Sequence, residues 1–133
     1  MKKIFLILLL MITINSCRNS FTEKEVIGYY VPIGYKNTYD TIRLLENGVY
    51  HRKVYDKNKK LVLDQVSNYE LRNGGSKIYF HSYFLNFDRD LVQFPELVND
   101  PIGGLETPLE IVNNKIQFCA GYKIYSNCYQ KLK

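Results

Sequence analysis

Two hydrophobic regimes divide this chain. Residues 4–12 form an unbroken apolar run of nine behind Lys2 and Lys3, too short for the about 20 residues a bilayer span needs but with the length and positive flank of a secretory signal peptide. From residue 26 onward, apolar and polar positions alternate in short stretches rich in Tyr, Phe and β-branched residues, broken by turn-forming residues about every ten positions. That pattern predicts strands near 27–31, 39–45, 49–55, 61–71, 77–84, 109–112, 115–120 and 125–132. Eight strands with no helix between them predict an all-β antiparallel meander closing into a small barrel over residues 26–133. Pro32 and Pro108 fall at strand ends, where a missing N–H does no harm. Residues 1–16 read as a signal-peptide helix and 17–25 as a tether. Thr22 and Glu25 have capping-box spacing, enough for a single helical turn at most.

One hairpin has an arguable register. A two-residue Asn47-Gly48 turn would set Arg43 opposite Arg52, a repulsive pair. A three-residue loop with Gly48 in a left-handed bulge instead sets Leu44 opposite Tyr50, Ile42 opposite Arg52 and Asp40 opposite Val54, and is preferred. Its inner face carries Ile42, Leu44, Tyr50 and Val54 with Arg52 among them. A guanidinium there must meet an internal acceptor, with Asp40 a candidate, snorkel to the rim, or bind an anionic ligand. Further along, residues 56–60 form a charged tip, and the alternation shifts near Asp64 and Gln65, which suggests a bulge. Ile78, Phe80 and Phe84 are expected inward, with Tyr79, His81 and Tyr83 outward. Residues 88–107 break the pattern yet hold Leu91, Val92, Phe94, Leu97 and Val98, so this stretch reads as a hydrophobic plug or as a gate over a pocket.

At the end of the leader, Ile14-Asn15-Ser16-Cys17 resembles a bacterial lipobox, in which an aliphatic and a small residue precede a cysteine that is acylated and becomes the new first residue. The resemblance implies a lipoprotein whose several acyl chains, palmitate among them, hold it on a membrane. Arg18, standing where an Asp would retain a Gram-negative lipoprotein at the inner membrane, points to the outer membrane. With Cys17 lipidated, Cys119 and Cys128 remain as an even pair in the oxidising periplasm, and a disulfide is expected between them. If they face each other, Phe118 and Tyr129 share the opposite face with Ile116 and Ala120. No metal is expected, because His51 and His81 lie at no ligand spacing to the pair. Loss of the leader takes the charge balance from 18 basic against 13 acidic residues to 16 against 13. The basic residues form no stripe free of acids, so no nucleic-acid partner is expected.

Gly28-Tyr29-Tyr30, the Asp40-Thr41-Ile42-Arg43-Leu44 strand with Asn47-Gly48-Val49-Tyr50, and Asn68-Tyr69-Glu70-Leu71 before Ile78-Tyr79-Phe80 resemble the small lipocalin-like lipoproteins of Gram-negative bacteria. The resemblance implies a lipocalin-like barrel that acts as a binding module. Catalysis is not expected: the chain has no nucleophile elbow, zinc-protease pair or phosphate-cradling loop, and Asp88 and Asp90 fit turn roles. No cofactor is implied. Two readings stay open. A small apolar or anionic ligand would be lined by Arg52, Tyr50, Leu91 and Phe94. Alternatively a partner protein, such as a toxin neutralised in the periplasm, would meet Tyr55, Tyr79, His81 and Tyr83. A structural role in the envelope is a third.

Overall fold

The computed structural model describes residues 20–34, 39–84, 86, 103–120 and 128–133. The expected signal helix, Cys17, Asp88, Asp90, Leu91, Phe94 and the rest of the stretch to residue 102 lie outside these. Among the described residues no helix is long and apolar enough to cross a membrane.

The chain is all-β. One helical turn, α1 (Glu23–Val26), precedes β1 (Gly28–Pro32), β2 (Tyr39–Leu44), β3 (Val49–Tyr55), β4 (Leu61–Arg72), β5 (Lys77–His81), β6 (Gly104–Pro108), β7 (Glu110–Val112), β8 (Lys115–Cys119) and β9 (Cys128–Lys131). All pairings are antiparallel, in the order β6-β5-β4-β3-β2-β1-β9-β8-β7. The nearly closed barrel follows from how β6 and β7 share one stretch of chain. β6 pairs with β5 and, after a bend at Leu109, β7 pairs with β8, so residues 104–112 bridge both edges of the meander. Thr107 Oγ1 donates to the Cys119 carbonyl at 2.6 Å and ties the seam.

β6 is the strand the sequence pattern did not predict, since it lies inside the stretch read as a plug or gate. Adjacent glycines such as Gly103-Gly104 are ordinarily turn formers. Gly104 is instead a strand residue whose missing side chain makes room for a neighbour: a Cβ on it would lie 1.8 Å from the Tyr79 hydroxyl.

The β2–β3 register is the three-residue-loop solution, with Leu44 opposite Tyr50, Ile42 opposite Arg52 and Asp40 opposite Val54. Asn47 and Gly48 both take left-handed φ, 63° and 69°. Ile42, Leu44, Tyr50, Arg52 and Val54 are all fully buried. β4 corrects another expectation. No bulge lies at Asp64 and Gln65; the register slips nearer the tip, between Val54 opposite Leu63 and Tyr55 opposite Leu61. Leu63, Gln65, Ser67 and Tyr69 keep the inward alternation, so polar residues on the inner face had imitated a shift. The Gln65 side-chain amide donates to the Ser82 carbonyl.

Below this sheet, the segment expected to be a tether closes one end of the barrel. Phe21 and Val26 belong to the core, and Thr22 and Glu25 form the expected capping box. The Phe21 N–H donates to the Gly75 carbonyl at 2.9 Å, and a Cβ on Gly75 would approach the Phe21 carbonyl oxygen to 2.1 Å, so only glycine admits this docking. The Tyr30 hydroxyl donates to the Val26 carbonyl at 2.7 Å. Cys119 lies opposite Cys128 and is bonded to it. On the other face Phe118 stacks on Tyr129, with centroids 5.3 Å apart.

Candidate functional site

Inside the barrel, at the end away from α1, Arg52 is held by a set of internal acceptors. Its Nε donates to Asp40 Oδ1 at 3.0 Å, Nη2 to Asp40 Oδ2 at 2.7 Å and to the Tyr129 hydroxyl at 3.1 Å, and Nη1 to the Phe84 carbonyl at 2.5 Å. Four of the five guanidinium N–H groups are thereby used. Asp40 Oδ2 also accepts from the Tyr129 hydroxyl at 2.6 Å and from the Asn86 amide at 2.9 Å. The Tyr83 ring covers the guanidinium at 4.4 Å. Burial works against the charged guanidinium, but Asp40, with Tyr129 and Tyr83, outweighs it and holds the Arg52 pKa well above its ordinary value. Burial also pushes the Tyr129 and Tyr83 hydroxyls up, against the lowering effect of Arg52. Tyr50, the other interior candidate, packs edge-on against Phe80 and donates to the His81 carbonyl at 2.7 Å. Both interior residues are therefore committed to the protein itself.

The outer face divides into two patches. On β4, β5 and β6 the charges satisfy one another. Arg72 contacts Glu70 at 2.8 Å and Glu106 at 3.2 Å, Lys77 contacts Glu106 at 2.8 Å, and His81 contacts Glu70 at 3.1 Å. Tyr79 lies between the Arg72 guanidinium, 3.7 Å from its ring centre, and the edge of His81 at 4.8 Å. Tyr79 and His81 thus point outward as expected, in a network that consumes their polar and π contacts. Tyr83 does not. β5 ends at His81, Ser82 takes a left-handed φ of 51°, and the two-residue alternation breaks there, so Tyr83 turns inward and is fully buried.

The second patch runs across β1 to β4 in rows fixed by register. Tyr29 lies opposite Arg43, Arg43 opposite His51 and His51 opposite Val66; beside them Thr41 lies opposite Lys53 and Lys53 opposite Asp64. Tyr29 is 46% and Val66 66% exposed. Arg43 stacks over Tyr29 at 5.0 Å and pairs with no carboxylate among the described residues. Asp64, the acid of the patch, meets His51 Nε2 at 2.5 Å and Lys53 Nζ at 3.8 Å. The His51 hydrogen bond holds its carboxyl below the usual range against the opposing effect of burial, with help from Lys53. A groove of about 330 Å³ lies among Tyr29, Thr41, Arg43, His51 and Lys53. Tyr55 follows Lys53 on the same face, half-buried.

Arg43 and Lys53 were missed as site residues although the register that turned Arg52 inward also turned them outward. What the hairpin alone could not show was that β1 and β4 flank it with exposed Tyr29 and Val66. Among the described residues no group of His, Cys, Asp and Glu could hold a metal ion. No protein-family model matches the chain, and no curated protein or solved structure matches it.

Proposed function

We propose that this protein is a lipid-anchored, non-catalytic binding module of the Gram-negative envelope, and that it engages an acidic partner protein through the outer face of β1 to β4. The barrel fold is compatible with a binding role. The lipobox resemblance of residues 14–17 supports the anchor, and the position of Arg18 supports the outer membrane.

The observation that carries the choice of face is the outward-facing row of Tyr29, Arg43, His51 and Val66 with Lys53 beside it. Aromatic and apolar area flanks three basic side chains, and one acid, Asp64, offsets them. Tyr29 is already stacked with Arg43, so both present area and charge with little further ordering. The packed interior supports the same choice. Tyr30, Tyr50, Phe80, Phe118 and Tyr129 fill the described core, and Arg52 has its counter-ion in place. A second reading rests on the same groove: its size and basic lining suit a small anion such as a phosphate or carboxylate compound.

Native mass spectrometry of the Cys17→Ser protein from its host's envelope separates these readings. The expected result is release into the soluble periplasm with a stoichiometric protein partner, lost in the Arg43→Glu, Lys53→Glu variant. A small bound mass lost in the same variant selects the anion reading. Retention on the membrane overturns the anchor, and a partner or ligand that survives the charge reversals overturns the proposed face.

A further inference from the structure

The plugged end of the barrel carries a second basic and apolar feature, remote from the β1 to β4 face. Ile111, Asn114, Lys115, Lys131, Leu132 and Lys133 border a groove of about 330 Å³ whose lining contains three lysines and no acidic side chain. Ile111 is 55% and Leu132 46% exposed. The groove adjoins α1 directly, because Lys131 Nζ donates to the Glu25 carbonyl at 2.6 Å. Glu25 itself caps α1, its Oε2 accepting from the Thr22 N–H at 2.7 Å and the Thr22 hydroxyl at 2.8 Å.

Chain length then decides which end of the barrel a membrane can approach. Phe21 is docked against Gly75, and Cys17 precedes it by four residues, a reach of at most about 14 Å. β3, seven residues long, spans about 20 Å from the plugged end to the charged tip at 56–60. An anchor on Cys17 cannot bring that far tip to the bilayer while leaving the plugged end free in solution.

We infer that the plugged end docks on an anionic phospholipid surface, with Lys115 and Lys133 against the head groups and Ile111 and Leu132 at the interface, while Lys131 stays on the Glu25 carbonyl. The inference rests on the lipid-anchor reading and adds an orientation to it. Exposed apolar side chains ringed by lysines are the composition of a surface that lies on a membrane. In this pose the β1 to β4 face stands to the side of the barrel, open to a partner, and the end holding Arg52 points away from the bilayer.

The test is lysine acetylation of the protein purified from its own host, with vesicles of phosphatidylcholine and phosphatidylglycerol, read residue by residue by mass spectrometry. Lys57, Lys59 and Lys60, exposed at the far tip, serve as internal reference. Docking predicts that Lys115 and Lys133 react about fivefold more slowly relative to the tip lysines on anionic vesicles, with the protection relieved in about 1 M salt, where screening acts over about 3 Å. Equal reactivity at both ends overturns the inference, as does protection of the tip. The mass of the Cys17 peptide reports the anchor separately. If Cys17 is not acylated yet Lys115 and Lys133 are protected, the docking face stands and the anchor falls; an acylated protein labelled equally at both ends keeps the anchor and loses the orientation.

Discussion

Arg52 and Asp40 form a fully buried ion pair, and such a pair gains little over an apolar replacement but costs heavily when half of it is removed. Asp40→Asn should therefore destabilise the barrel by about 3–5 kcal/mol, because Arg52 keeps its charge. Arg52→Met should cost a similar amount. The joint replacement Asp40→Asn, Arg52→Met should cost much less than the two single changes added together. Urea midpoints of the four proteins provide the check, and additive losses would show that the pair is not coupled. The inward position of Arg52 and its partner across the ladder were legible because both lie in one hairpin, where register depends on the turn. Tyr129 and Asn86 were not, since they meet Asp40 from 89 and 46 residues away and no local pattern reports such a meeting.

Elements were legible where alternation was uninterrupted and lost where one residue changed its hand. β2, β3, β8 and the Cys119–Cys128 bridge follow from period-two patterns and facing cysteines. The ten-residue closed loop contributes about 2.7 kcal/mol in the chain-entropy view. β5 was drawn too long because a left-handed Ser82 gives no sequence signal, and β6 was hidden because glycine reads as a turn until a tyrosine is seen lying across it. The plug at residues 21–26 looked polar as a string, yet Phe21 and Val26 are the positions that matter. Phe21→Ala should thus cost about 3 kcal/mol, measured by chemical unfolding. A change near zero would return this segment to being a tether.

For the whole molecule, two sets of titrating groups bound the pH range of stability. Hydrogen bonds from Arg72, Lys77 and His51 hold Glu70, Glu106 and Asp64 below their ordinary values. Their folded-state values lie below the unfolded ones, so their contribution is present above the ordinary carboxylate range, about pH 4, and is lost as pH falls through the lowered values. Tyrosine behaves oppositely. Burial, with the Glu23 carboxylate, pushes Tyr69 from 10.0 up to about 12, and burial also raises Tyr30 and Tyr50. That contribution is complete below pH 10.0 and disappears as pH rises through about 12. Thermal unfolding followed by circular dichroism should show a plateau between these limits and a fall on either side. A melting temperature unchanged at pH 12 would mean that Tyr69 is accessible in the folded chain.

Whether the β1 to β4 face recognises a partner, as proposed, is open to a direct measurement in living cells. A photo-reactive residue replacing Val66, which lies in the row with Tyr29, Arg43 and His51, would be irradiated in living cells, with position 111 as the comparison. Recognition through this face predicts one discrete protein adduct from position 66, none from position 111, and loss of the adduct when Arg43→Glu and Lys53→Glu are added. No adduct from position 66, or an adduct that persists through both charge reversals, would contradict it.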